Sequence, residues 1–285
     1  MMKSVKLTIF ALFTMVLPAD STLAAQRQPP VSPVQPPAYA DIADLVLRSP
    51  IIVDSVIRGV ERLKGEESTG VSARFGRLLV QADVSGLIRG DNNLPPRITY
   101  IVDLVLDSRG KLANLKKQRM MLFGRPVSGS PNKIQLSGPD SQRLWSPMLD
   151  ALTRRITSEA LAKDAPPPVT GIGNAFYVAG ALPGEGETQV FLTTADGRPI
   201  SLSILRRPGE TPRWAVALSE IVDEAAAPPT KDSLLWYRLA CGLPANLPDS
   251  AIRSLDTADG EAARNDYRFV IRSLGRCNRG EGGQL

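Results

Sequence analysis

Over residues 75–84 the chain alternates: Leu78, Val80, Ala82 and Val84 stand between Arg77, Leu79, Gln81 and Asp83. Successive side chains of an extended strand point to opposite faces, so this pattern fits a strand with one face in a core. A helix would scatter the same side chains around its axis. The alternation returns over 97–106, with Ile98, Tyr100, Val102, Leu104 and Leu106 on one face. Asp107, Ser108, Arg109 and Gly110 then supply turn chemistry. Residues 116–123 read as the return strand of a hairpin, and 134–136 as a further short strand. Residues 51–63 are ambiguous. Ile52, Val53, Val56, Ile57, Val60 and Leu63 fit a helical stripe, with Ser49 and Pro50 as cap and first helical residue. The β-branched content and the polar loop 64–70 favour a strand. This half reads as an antiparallel β unit of four or five strands, able to roll into a small barrel.

Helices flank it. Residues 41–47 suit a short helix ending before Ser49 and Pro50. Ser146 and Pro147 open a longer one, with Leu149, Leu152, Ile156 and Ala160 on one face. The run Ala165, Pro166, Pro167, Pro168 stops it and divides the chain into 39–164 and 169–277. The second part starts with a strand at 169–179 and a turn at 182–188. Asp196 and Gly197 then form the strongest hairpin signal in the chain. Ile200, Leu202 and Ile204, then Trp214, Val216 and Leu218, complete a four-stranded meander. After a linker, Thr230 caps a helix through Leu234, Leu235 and Leu239, closed at Gly242. A last helix from about Thr257 carries Ala263, Tyr267, Val270, Ile271 and Leu274, stops at Gly275, and leaves a polar tail at 278–285. The expected class is α+β: two antiparallel β units with flanking helices and a helical C-terminal segment.

The N-terminus bears on compartment. Lys3 and Lys6 precede an apolar run at 7–17, and small residues follow through Ala24 and Ala25. Basic start, short apolar middle and small-residue exit make a secretory signal peptide over 1–25. The run is shorter than the roughly 20 residues of a membrane-spanning helix. A Pro-rich stretch, 26–38, reads as a spacer in extended conformation. The chain is expected to be exported, periplasmic or secreted, with no transmembrane span once matured. In that setting the two cysteines, Cys241 and Cys277, pair as a disulfide. If Cys241 ends one helix and Cys277 follows the next, the connection at 243–256 must carry the chain back so that both C-terminal ends meet.

Composition excludes several chemistries. None of the 285 residues is histidine. A Ser-His-Asp triad, a Cys-His pair and His-based metal sites are therefore excluded. Aromatics are 5% of the chain, too few for sugar-stacking grooves or base-stacking platforms. Ser130 and Lys133 match a Ser-x-x-Lys spacing, but in an inter-strand loop rather than on a helix. Glu185 and Glu187 sit in a glycine-flanked turn, which reads as a solvated hairpin tip. Gly171 and Gly173 mark a bulge better than a nucleotide loop. No cofactor and no nucleic-acid partner is expected.

Charge is the positive signal. Between Arg97 and Arg125, seven cations face Asp103 and Asp107, a surplus equal to the net +5 of the whole chain. Arg109, Lys111, Lys116, Lys117, Arg119 and Arg125 are the candidate partner-binding residues, on a basic hairpin that could recruit an acidic envelope component or another envelope protein. The leading expectation is a non-catalytic envelope or secreted protein that binds or scaffolds. The alternatives are an envelope hydrolase or transferase using carboxylates such as Asp83, Asp103 or Glu187, and a small-ligand carrier.

Overall fold

A computed structural model describes residues 37–91, 93–219 and 226–279. The expected signal peptide, the spacer up to residue 36 and the tail beyond 279 lie outside the described residues. Helix α1 (Tyr39–Arg48) leads into strands β1 (Ile51–Arg62), β2 (Phe75–Arg89), β3 (Arg97–Val105), β4 (Arg119–Val127), β5 (Ser130–Leu136) and β6 (Gln142–Leu144). Helix α2 (Pro147–Leu161) follows. Then come β7 (Val169–Ala179), β8 (Gly186–Thr194), β9 (Ile200–Arg206), β10 (Arg213–Ala217), α3 (Leu234–Gly242) and α4 (Thr257–Leu274). The fold is α+β, with one small barrel and one meander.

The barrel runs β1-β2-β3-β5-β4 and closes because β1 pairs with β4 as well as with β2; β6 is appended to β4. This is a five-stranded Greek-key closure. All neighbours are antiparallel except β3 and β5, which run parallel and are in register at Thr99 with Lys133 alone. Register shifts along β1 at Ile52/Val53, Asp54/Ser55 and Ile57/Gly59 are bulges. Such bulges add the curvature by which one strand serves two partners.

The hairpin expected between 97–106 and 116–123 does not form. β3 pairs with β2 and β5, whereas β4 pairs with β1, β5 and β6, so residues 106–118 cross an end of the barrel. Asp107 to Gly110 do turn the chain, with the Gly110 N–H donating to the Asp107 carbonyl at 2.9 Å. A turn sets local direction, not the neighbour the chain meets next.

The ambiguity over 51–63 resolves as strand, and burial explains it. Ile51, Val53 and Ile57 face the barrel core, while Ile52 joins a second core outside the wall. β4 behaves alike, with Met120 and Leu122 inside and Met121 and Phe123 outside. Strands buried on both faces carry continuous apolar runs and lose the period-two signature. The second core also holds α1, Leu149 and Ile156 of α2, and the inner face of the meander with α3 and α4.

The meander has the expected order β10-β9-β8-β7. Its inner side chains Val190, Leu202 and Ile204 are fully buried. Ser146 caps α2 by accepting the Leu149 N–H at 3.1 Å. α3 takes Ser233 as its N-cap, three residues beyond Thr230, through the Trp236 N–H. The 18 residues of α4 span about 27 Å. The chain between α3 and α4 includes a 3-10 turn at Asp249–Ile252 and brings both C-terminal helix ends together. Cys241 and Cys277 are disulfide-bonded, with Cα atoms 5.1 Å apart. Such a bond fits the oxidising compartment of an exported protein. No helix among the described residues is long and apolar enough to cross a membrane.

Candidate functional site

Strand pairing places four elements at one end of the barrel. Each antiparallel pairing sets one strand's C-terminus beside its neighbour's N-terminus, so the ends of β1 and β3 lie with the starts of β2 and β4. The crossover 106–118 and the loop 63–74 therefore share this end.

The crossover is built by its own sequence. The Asp107 carboxylate accepts the Arg109 and Lys111 N–H groups, each at 2.8 Å. Leu115 is buried in the barrel core and Leu112 packs against it. Asn114 accepts the Lys116 N–H at 3.0 Å through its side chain and the Gln118 amide at 2.7 Å through its carbonyl. The Lys117 N–H donates to the Ile57 carbonyl, and the Ile57 N–H to that of Gln118, both at 2.9 Å. With the leucines turned inward and the backbone tied to β1, Arg109, Lys111, Lys116 and Lys117 are exposed. Lys117 sits at φ 70°, a left-handed conformation that glycine or asparagine adopts more easily.

The six candidate residues do not act as one group. Arg109, Lys111, Lys116 and Lys117 stand at this end, joined by Arg62, Lys64 and Arg74, which sequence reasoning passed over. The β2–β3 pairing brings that loop beside the crossover, and the Leu106 N–H donates to the Arg74 carbonyl at 2.9 Å. Arg119 points elsewhere: its guanidinium grips the buried Asp54 carboxylate at 2.9 and 2.6 Å and lies 3.6 Å from the Trp145 ring centre. Its charge serves the fold. Arg125 lies further along β4, bonded to the Gln135 side chain at 3.1 Å.

Pairing separates this end from the barrel wall. On the wall, Asp83 accepts from both Arg58 and Arg97 at 2.8 Å. Arg97 and Arg58 together hold the Asp83 carboxyl below the usual carboxylate range. Asp103 takes a bidentate bond from Arg77 at 2.8 and 2.9 Å. At the crossover end, of seven cations only Arg109 has a carboxylate within 4 Å among the described residues, Asp107 at 3.9 Å.

The carboxylates do not converge. Asp83 and Asp103 belong to pairs six residues apart along β2 and β3, roughly 20 Å at about 3.3 Å per residue. Paired glycosidase carboxyls stand about 5–9.5 Å apart. Glu187 is on the meander and accepts from Gln189 and Ser203. Glu185 accepts the Leu182 N–H within its own turn. Ser130 and Lys133 fall on strand β5, not one turn apart on a helix as Ser-x-x-Lys chemistry requires. Gly171 lies in a bulged stretch of β7, as its spacing suggests. The barrel interior is filled by its own side chains, Tyr100, Met120 and Leu122 among them. Among the described residues, no three Cys, Asp or Glu side chains are grouped to hold a metal ion. Compared with known proteins, the chain matches no family model and no curated protein.

Proposed function

We propose that this protein is exported and acts by binding, with no chemistry of its own, an acidic component of the cell envelope through the crossover end of its barrel. The observation that carries this reading is that, among the described residues, Lys111, Lys116 and Lys117 have no carboxylate within 4 Å, the one ion pair on the crossover being Arg109 with Asp107. On the wall Asp83 pairs with Arg58 and Arg97, and Asp103 with Arg77, whereas on the crossover Arg109, Lys111, Lys116 and Lys117 stand against Asp107 alone, so positive potential collects there; the neighbouring loop adds Lys64 and Arg74 but also Glu66 and Glu67. Uncompensated charge of one sign raises the local concentration of an oppositely charged partner. Lys117 adds support: a non-glycine residue held at positive φ costs of order 1–3 kcal/mol, and such strain concentrates where a side chain has work to do. The disulfide and the N-terminal sequence both favour the envelope or exterior as the setting.

The test uses the mature protein and a triple variant, Lys111→Gln, Lys116→Gln, Lys117→Asn. Asparagine tolerates the left-handed conformation, so the variant keeps the backbone. Vesicles containing anionic lipid and a sulfated glycan, each against a neutral counterpart, separate the two sources of acidic charge. Each basic side chain near an anionic surface contributes about 1 kcal/mol, so the variant should bind about a hundredfold more weakly. Parent binding should also fall as salt rises. Equal binding by parent and variant would refute the reading, as would a turnover abolished by replacing one carboxylate.

A further inference from the structure

A cleft of about 620 Å³ opens in the helical layer, where the start of α1, one face of α2, the approach to α3 and the chain after α4 meet. It shares no lining residue with the crossover end of the barrel. Its longest wall is a stripe of α2. Met148, Ala151, Leu152 and Arg155 stand at i, i+3, i+4 and i+7, the spacing of a single helix face. The stripe is about 10 Å long, apolar at its start and cationic at its far end. Met148 is 54% exposed, a large apolar side chain left largely in solvent among the described residues. Tyr39 and Trp236, packed edge to face, close the floor.

The cations of this lining lack the partners that cations elsewhere on the helix have. Arg154 pairs with Asp150, one turn back, at 2.9 Å. Arg155 has the matching chance with Glu159, one turn on, but Glu159 is taken. It accepts the Tyr39 hydroxyl and the Leu234 N–H, each at 2.8 Å. The Arg155 guanidinium lies instead 5.3 Å from the centre of the Tyr39 ring. Lys231 and Arg276 complete the rim, and among the described residues none of the three has a carboxylate within 4 Å. Three cations against the one acid of the lining, Asp232, leave a surplus of +2. Arg276 is held in place from both sides. The Trp236 Nε1 donates to the Leu274 carbonyl at 2.9 Å, and Cys277 is bonded to Cys241.

We infer that this cleft binds an amphiphilic anion, a carboxylate or phosphate head on one aliphatic chain. The head sits among Arg155, Lys231 and Arg276, and the chain runs along Leu152 and Met148. Apolar walls with a few convergent polar groups are how small-ligand sites are built. A wholly hydrophilic polyanion would leave the α2 stripe wet, and an uncharged hydrocarbon would leave the cations unanswered. The stripe's length suits a chain of medium length.

Decanoate is the probe, kept below the concentration at which it forms micelles. Titrated into the mature protein, it should saturate, with amide shifts centred on residues 148–155 and 231–232. Decanol, the same chain without charge, and acetate, the same head without the chain, should bind far more weakly. Met148→Glu puts a charge in the path of the chain, at the second residue of α2, where an acid favours the helix and the fold is kept. Arg155→Gln with Lys231→Gln removes two exposed contacts to the head. Each variant should weaken decanoate binding about tenfold or more, the scale of a lost charged contact. A lysophosphatidylglycerol with the same chain, run beside decanoate, separates a lipid from a free acid by which binds more tightly. The triple lysine variant of the crossover should bind decanoate as the parent does, so this site and the basic end stand or fall separately. No saturable binding of either probe, decanol binding as tightly as decanoate, or either variant binding as the parent does would overturn the proposal. So would a parent dimer that Met148→Glu dissolves, which would assign the stripe to a second copy of the chain.

Discussion

Asp266 on α4 is fully buried, yet it is a carboxylate in a mostly apolar layer. It accepts the Thr188 hydroxyl at 2.5 Å from β8 and pairs with the Arg206 guanidinium from β9. Removing one member of a buried pair strands the other charge, which costs more than the pair contributes. Arg206→Met should therefore destabilise the protein by about 3–5 kcal/mol, seen as a lower urea midpoint. Arg206→Met combined with Asp266→Leu should recover much of that loss, because no uncompensated charge remains. A single variant as stable as the parent would show that the contact does not hold α4 to the meander. Asp54 and Arg119 follow the same logic on the barrel wall, which is why Arg119, basic and close to the lysines in sequence, is not available to a partner.

Strand closure also depends on what is missing from a side chain. Gly124 pairs with Ile51 on one side and Leu136 on the other, at the crowded junction of β1, β4 and β5. A Cβ placed there would lie 2.4 Å from an Ile134 methyl and 2.7 Å from the Gln135 carbonyl oxygen. The carbonyl belongs to the backbone and cannot rotate away. Gly124→Ala should cost about 1–3 kcal/mol and loosen β5, measured as faster amide exchange over 134–136. None of this crowding can be read locally, since Gly124 and Ile134 meet only through the fold. What was legible were elements with one solvated face, β2, β3 and the meander, because alternation survives there. β1 and β4 were legible only in part, being buried on both sides. Charge counting found the lysines of the crossover but assigned them to a hairpin, and it had no means of pairing Arg119 with Asp54, 65 residues away. The disulfide was legible from compartment and count, and it demanded the returning connection that the chain supplies. Breaking it by Cys241→Ser and Cys277→Ser opens a loop of 36 residues, worth about 4 kcal/mol at most in the chain-entropy account. The double variant should unfold at lower denaturant, with the C-terminal helix the first to lose protection.

For the whole molecule, the absence of histidine reaches beyond excluded chemistries. Both cysteines are bonded, so no side chain has an ordinary pKa between about 5 and 9. Folding stability should be nearly flat across that range, because its pH slope is the difference in bound protons between the two states. Above it the tyrosines take over. Burial first, then the Asp44 carboxylate, pushes the Tyr237 hydroxyl up to about 12. Burial and Glu159 raise Tyr39, and burial raises Tyr100 and Tyr267, so four of the five tyrosines resist ionisation when folded. A raised folded pKa gives stability that is complete below the unfolded value, near 10, and is lost as pH rises from there through the folded value. These four tie together the parts of the molecule. Tyr39 and Tyr237 join α1 to α2 and α3, Tyr267 bonds the Pro244 carbonyl, and Tyr100 holds the Gln142 side chain within the barrel. Alkaline unfolding should therefore be cooperative, with tyrosinate absorbance appearing together with the loss of circular dichroism above about pH 10. Tyrosines that titrate in the intact fold, well before unfolding, would contradict that coupling. So would a stability maximum confined to a narrow band near neutrality, since no side chain has an ordinary pKa there to produce one.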